Sequence, residues 1–144
     1  MKYGENGKGI KSRWYAQTLY KRIQNIKHVR DKITFIQDDG IETIKKYAVQ
    51  ESAVFFIDPP YTAGKNGKRA GTRLYTHNEL DHEELFAQAE NITGDFLMTY
   101  DNADEVIQMA KRHGFAERTI SMMNTHHATM QELVIGRDLS WIPS

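Results

Sequence analysis

The spacing of apolar and polar residues predicts that strands and helices alternate along most of the chain. Short apolar runs, which favour strands, alternate with segments that carry apolar residues at helical spacing. Strands are predicted at residues 33–37, 53–57, 95–100, 116–122 and 131–137. Helices are predicted from Ser12 to about Lys27, from Ile41 to about Tyr47, from Asn78 or Asp81 to about Glu90, and from Ala103 to His113, before Gly114.

The order of these elements predicts an α/β fold. Alternating strands and helices favour a mostly parallel sheet with helices around it, and the last two strands, which no helix separates, favour a closing antiparallel hairpin. The run at 53–57 is apolar throughout, so we expect both of its faces to be buried. The predicted core consists of Val54, Phe55, Phe56, Ile57, Phe96, Leu97, Leu133 and Val134.

The composition is that of an ordinary globular protein of one domain. The chain has 144 residues, of which 40% are hydrophobic and 26% are charged. No membrane span or secretory signal is recognisable, so a cytoplasmic location is expected. Cysteine is absent, which excludes disulfides, thiolate metal sites and cysteine nucleophiles.

Charge is distributed unevenly, although the formal net charge is zero. Residues 1–32 carry nine basic and two acidic residues, which leaves +7 there and −7 over residues 33–144. We therefore predict a basic helical arm at 1–32, apart from the main domain at 33–144. A second basic segment, 62–74, contains three glycines and reads as a long loop. Both segments can contact phosphates, and a solvated surface is the alternative for each.

Asp58-Pro59-Pro60-Tyr61 directly follows the run at 53–57. Open α/β sheets bind ligands at the carboxyl ends of their strands, although a simple turn is the alternative. The residue types suit an aromatic amino group, whose nitrogen lone pair is delocalised into its ring. Ionised Asp58 and a carbonyl held by the rigid prolines can accept both amino hydrogens, and Tyr61 can stack on a flipped base.

These residues resemble the Dam-like DNA adenine methyltransferases, whose motif is DPPY after a hydrophobic strand. The resemblance implies a Rossmann-like domain that transfers a methyl group from S-adenosylmethionine to N6 of adenine in DNA, in a prokaryotic or phage setting. It implies catalytic roles for Asp58, Pro59, Pro60 and Tyr61. In that family an acidic turn before the DPPY strand contacts the adenosine of the cofactor. Asp39, or its neighbour Asp38, is expected to do so here, and Asp58 is expected to contact the cofactor as well. A helix N-terminal acid is the alternative for Asp39.

The basic segments also resemble parts of this family that contact DNA. The resemblance implies that residues 1–32 are the remnant of a target-recognition region and that the loop at 62–74 borders the target base. Candidate phosphate contacts are Lys8, Lys11, Arg13, Lys65, Lys68, Arg69 and Arg73.

The family's glycine-rich FxGxG turn, which binds the methionine part of the cofactor, is not found in this sequence. Gly4, Gly7 and Gly9 have the wrong spacing and no strand before them. The resemblance therefore implies the carboxyl-terminal portion of a methyltransferase. Its expected partners are DNA and either an amino-terminal methyltransferase half or a second copy of the chain. The isolated chain is expected to bind the cofactor weakly and to methylate little.

Two other functions fit parts of the sequence. A metal hydrolase is the first, with ligands among His77, Asp81, His82, Glu83, His126 and His127. His77 and His82 lie five residues apart, which does not place them on one helix face as well as a spacing of four would. The second is a catalytically inactive module that binds nucleic acid through the basic arm and loop.

Overall fold

A computed structural model describes residues 15–60, 80–123 and 129–143. The chain divides into two units, 1–37 and 38–144, with the division a few residues after the charge boundary at residue 32. The first unit contains helix α1 (Ala16–Ile26) and a 3-10 turn at Arg30–Lys32. The second contains α2 (Gly40–Tyr47), β1 (Val54–Ile57), α3 (His82–Glu90), β2 (Asp95–Asp101), α4 (Asp104–Arg112), β3 (Ala116–Met123) and β4 (Thr129–Gly136).

The second unit is an α/β structure with a mixed sheet in the order β1-β2-β4-β3. β1 and β2 are parallel, whereas β4 runs antiparallel to both β2 and β3. Three of the four strands therefore run in the same direction, and the last strand returns between two of them. The predicted α/β class and the closing antiparallel hairpin are confirmed.

Helices α2, α3 and α4 pack on one face of this sheet. One apolar cluster fills the space between the helices and the sheet. Its fully buried members include Phe86 and Val106 from the helices and Met98, Tyr100 and Leu133 from the strands. The other face is partly covered by the segment 137–143. On that face Leu139 and Val134 are buried, and Arg118 of β3 donates a hydrogen bond to the carbonyl oxygen of Ile142.

The prediction that β1 is buried on both faces is wrong. Phe55 and Ile57 pack against the core, but Val54 and Phe56 are 77% and 69% exposed. In the described sheet β1 is an edge strand, and segment 137–143 lies over β3 and β4 rather than over β1. Leu97 of the neighbouring strand is half-buried on the same open face. The other predicted core residues, Phe96, Leu133 and Val134, are buried as expected.

The predicted strand at 33–37 is also absent. These residues follow the 3-10 turn without regular secondary structure, and Ile33, Phe35 and Ile36 are exposed. A strand exists only when its backbone N–H and C=O groups pair with a neighbour, and no described strand pairs with this segment.

The remaining helices begin and end close to their predicted positions. Asp39 caps α2, Asp81 caps α3, and Gly114, with φ of 69°, follows the end of α4. α1 begins at Ala16 after the non-helical Tyr15, while the start predicted at Ser12 lies outside the described residues. Each helix within the described ranges is too short or too polar to cross a membrane.

Candidate functional site

Asp58 lies at the carboxyl end of β1, next to the central strand β2. Parallel pairing aligns Ile57 with Met98, so the next position on β1 lies beside Thr99. The hydroxyl of Thr99 donates a hydrogen bond to Oδ1 of Asp58 at 2.8 Å. The pairing of the two strands thus orients the carboxylate.

The alternation of side chains along the strands places this pair on the open face of the sheet. Phe55 and Ile57 of β1 and Met98 and Tyr100 of β2 point toward the helices. Asp58 and Thr99 therefore point the other way. Asp58 is exposed, whereas Pro59 and Pro60 are half-buried. The carboxylate is accessible to a ligand at the corner between the open face and the carboxyl edge of the sheet.

This corner offers hydrogen-bond acceptors. Oδ1 of Asp58 is bound by Thr99, and none of the described residues donates to Oδ2. Pro59 and Pro60 have no N–H groups, so their backbone can only accept. A group that carries two N–H donors on one nitrogen can donate one hydrogen to Oδ2 of Asp58 and the other to a proline carbonyl. A carbonyl oxygen has no hydrogen to donate and cannot bind in this way.

Asp39 and Asp38, the predicted cofactor acids, stand at the start of α2. Oδ1 of Asp39 accepts hydrogen bonds from the backbone N–H groups of Ile41 (2.8 Å) and Glu42 (3.2 Å). Oδ1 of Asp38 accepts from the backbone N–H of Asp39 at 2.9 Å. Both residues are exposed. The alternative role of Asp39 as a helix N-terminal acid is observed, and its contact with adenosine stays a prediction.

Several predicted site residues lie outside the described part of the chain. They are Tyr61 of the motif and the proposed DNA contacts Lys8, Lys11, Arg13, Lys65, Lys68, Arg69 and Arg73. The described remainder of the basic arm includes α1, in which Tyr20 and Ile23 are exposed and no residue is buried. The predicted DNA contacts therefore stay predictions.

The described residues of the metal hydrolase hypothesis make structural contacts instead. Nδ1 of His82 lies 3.0 Å from the hydroxyl of the buried Tyr100. Asp81 accepts a hydrogen bond from the backbone N–H of Glu84, and Glu83 pairs with Arg112. Within the described ranges, no three potential ligands come together as a metal site. His77, His126 and His127 lie outside those ranges.

Thr99 and its neighbour Tyr100 are not among the site residues predicted from the sequence. A signal was present, because Thr99 and Asp101 alternate with apolar residues near the carboxyl end of β2. Using that signal required the pairing register between β1 and β2, which follows only from the folded sheet. Tyr100 is fully buried, and burial, with a smaller contribution from the charge of Asp101, raises the pKa of its hydroxyl well above the ordinary value.

The candidate site thus consists of an accessible carboxylate at a strand end, a hydroxyl that orients it, and two adjacent prolines. No protein-family model matches this chain, and no curated protein matches it.

Proposed function

We propose that this chain carries the catalytic motif of a site-specific DNA methyltransferase that transfers a methyl group from S-adenosylmethionine to N6 of adenine. One observation carries the proposal: Asp58 stands exposed at the end of β1, is oriented by Thr99, and precedes two prolines. Its charge and position suit an acceptor for an amino group. The DPPY resemblance supports adenine as the base.

The chemistry follows from the acceptors at this corner. S-adenosylmethionine supplies an electrophilic methyl group on a sulfonium. Oδ2 of Asp58 and a proline carbonyl accept the two amino hydrogens of a flipped adenine, which localises the nitrogen lone pair. With the cofactor bound, the nitrogen would take the methyl group as the carbon–sulfur bond breaks. S-adenosylhomocysteine would be the leaving group, and the nitrogen would release one proton to water.

The residues at the start of α2 fit part of the cofactor. A carboxylate there can accept hydrogen bonds from the hydroxyl groups of adenosine, and Asp39 keeps a second oxygen beyond the one that caps the helix. The methionine part of the cofactor requires a different cradle, and the sequence has no FxGxG turn to provide it. We therefore expect weak binding of S-adenosylmethionine to this chain by itself.

The open side of β1 supports the need for a further segment. β1 is the edge strand of the described sheet, so its outer N–H and C=O groups pair with no described strand, and Val54 and Phe56 add an exposed apolar face beside them. An added strand with apolar side chains would satisfy both features. We propose that an amino-terminal methyltransferase half, which begins with such a strand and the FxGxG turn, binds there. A second copy of the chain is the alternative occupant.

DNA is the proposed substrate because the positive charge is concentrated. Residues 1–32 carry a formal charge of +7, and the segment 62–74 adds Lys65, Lys68, Arg69 and Arg73. Lysine and arginine clusters of this kind attract the phosphate backbone in a salt-dependent manner. The same feature favours the second candidate function, a catalytically inactive module that binds nucleic acid. The two functions differ in what they require of Asp58.

The test uses the full chain mixed with an amino-terminal methyltransferase half that contains the FxGxG turn. Both are incubated with a DNA duplex and S-adenosylmethionine that carries a deuterated methyl group, and the nucleosides are analysed by mass spectrometry. We expect deuterated N6-methyladenine from the mixture, little from the chain alone, and none with Asp58→Ala. DNA binding without any methyl transfer would support the inactive module. Methyl transfer that survives Asp58→Ala would refute the role of the motif.

A further inference from the structure

We infer that Thr99 is a positioning residue that holds the carboxylate of Asp58 so that Oδ2 faces the substrate amino group. This inference rests on the proposed function. It adds a residue outside the DPPY motif and assigns separate tasks to the two carboxylate oxygens. Oδ1 is the anchored oxygen, and Oδ2 is the acceptor for substrate.

The position of Thr99 makes it a firm anchor. It lies in β2, which pairs with β1 on one side and β4 on the other, and its partner in β4 is Val134. Its neighbours Met98 and Tyr100 are fully buried in the core. A threonine is also stiff about its first side-chain torsion because its β-carbon is branched. Both the backbone and the first side-chain torsion of Thr99 are therefore restricted, and its hydroxyl has a fixed position.

Asp58, in contrast, lies just beyond the end of an edge strand, and its side chain is exposed. An exposed aspartate without an anchor samples several rotamers. The 2.8 Å hydrogen bond from Thr99 selects one of them. Because methyl transfer requires the amino nitrogen to be aligned with the methyl carbon, a freely rotating acceptor would lower the fraction of productive complexes. Thr99 thus acts on turnover rather than on DNA affinity.

A matched set of variants separates the hydroxyl from the shape of the side chain. Thr99→Val keeps the branched shape and removes the donor, whereas Thr99→Ser keeps the donor. Thr119→Val makes the same change at an exposed position in β3, whose pairing partner is Leu133, and serves as the control. Thermal unfolding followed by circular dichroism shows whether each variant is folded.

The first readout does not depend on methylation. Three-bond couplings measured by NMR in the full chain report the rotamer of Asp58. We expect a single rotamer in the wild type, Thr99→Ser and Thr119→Val, and averaging over several in Thr99→Val. A single unchanged rotamer in folded Thr99→Val would overturn the inference. If Thr99→Val does not fold, Thr99→Ser decides, because serine retains the hydroxyl donor. A single Asp58 rotamer in folded Thr99→Ser would then support the inference, and averaging over several rotamers would overturn it.

The second readout is turnover in the mixture with the amino-terminal half. Thr99→Val should lower kcat by about tenfold to a hundredfold with KM for DNA nearly unchanged, and Thr99→Ser should recover most of that loss. An unchanged kcat in folded Thr99→Val would overturn the positioning role. If the wild-type mixture transfers no methyl group at all, the proposed function fails, and the rotamer measurement still decides whether Thr99 holds Asp58.

Discussion

Phe55 and Phe56 are adjacent in β1 but lie on opposite faces of the sheet. Phe55 packs against the core formed with the helices, whereas Phe56 is 69% exposed. This difference shows that one face of β1 is complete and that the other has no cover among the described residues. The open face is also the one on which Asp58 and Thr99 meet. The surface proposed to receive the amino-terminal half therefore adjoins the candidate site.

The two phenylalanines should respond differently to truncation. Phe55→Ala removes a side chain from the core and should lower the free energy of unfolding by about 2 kcal/mol, less than for a fully buried phenylalanine. Phe56→Ala should change it by no more than about 0.5 kcal/mol. Urea unfolding of the full chain measures both. Equal losses would show that the second face of β1 is covered in solution.

The same pair tests the proposed interface. Phe56→Ala should weaken binding of the amino-terminal half, because it removes apolar surface that the added segment would cover. Isothermal titration of one polypeptide into the other gives the change in Kd. Thr119→Val, on the far strand β3, is the control and should bind normally. Unchanged binding by Phe56→Ala would place the interface elsewhere.

Gly94 should tolerate no side chain. A β-carbon at this position would lie 2.0 Å from the backbone carbonyl oxygen of Ala53, which also accepts a hydrogen bond from Asp95. Gly94→Ala should therefore force β1 and β2 apart where they begin and lower the free energy of unfolding by about 2 to 3 kcal/mol. Gly40→Ala is the matched control, because nothing lies within 4 Å of its β-carbon position. A Gly94→Ala chain as stable as the wild type in urea would contradict this close approach.

Tyr100 should make the folded chain sensitive to alkali. Burial raises the pKa of its hydroxyl, so in the unfolded chain it ionises near pH 10 while in the folded chain it remains neutral. The stability that depends on neutral Tyr100 is complete below pH 10 and declines as the pH rises above it, by up to about 1.4 kcal/mol per pH unit.

Tyr100→Phe should lack this decline. Near pH 8 it should be about 1 kcal/mol less stable than the wild type, because the hydrogen bond between His82 and the hydroxyl is lost. The difference should shrink above pH 10. Urea unfolding between pH 8 and 11 measures it, with Tyr20→Phe as the control at an exposed position. Equal alkaline slopes for Tyr100→Phe and the wild type would contradict the prediction.

Asp39 should combine a structural role with the proposed contact to adenosine. Asp39→Ala should lower the free energy of unfolding by about 1 kcal/mol because the α2 cap is lost. Asp39→Asn keeps a capping oxygen and should unfold like the wild type. If Asp39 also contacts adenosine, Asp39→Asn should weaken binding of S-adenosylhomocysteine to the mixture of both halves. Calorimetry measures this affinity, and Asp38→Asn provides the comparison. Wild-type affinity in Asp39→Asn would limit Asp39 to capping.

Local signals in the sequence were sufficient to predict much of the second unit. The Asp39 and Asp81 caps, the Gly114 end and the final hairpin depend on neighbouring residues, and each lies close to its predicted place. The exposure of Phe56 could not be predicted in this way, because an apolar run does not reveal whether a second layer of structure covers it. The strand predicted at 33–37 is wrong for a similar reason, because apolar residues do not reveal whether a neighbouring strand pairs with them.

The candidate site also combines a residue that local sequence predicts with one that it does not. Asp58 was predicted from its motif and from the strand before it, both of which are local. Thr99 lies more than forty positions later in sequence and reaches Asp58 only through the pairing of Ile57 with Met98. A shift of one residue in that pairing would bring a core-facing side chain to the same place. Contacts of this kind depend on the folded sheet rather than on any short pattern.

The proposed transfer of a methyl group to adenine is tested most directly by a measurement of the bases in cellular DNA. The chain is expressed together with an amino-terminal methyltransferase half that contains the FxGxG turn, in a host without DNA methyltransferases, and the digested genomic DNA is analysed by mass spectrometry. We expect N6-methyladenine with the wild-type chain, its loss with Asp58→Ala, and its persistence with Thr99→Ser. If both polypeptides are soluble and bound to each other and yet N6-methyladenine is absent, or if it persists with Asp58→Ala, the proposed methyl transfer through Asp58 is contradicted.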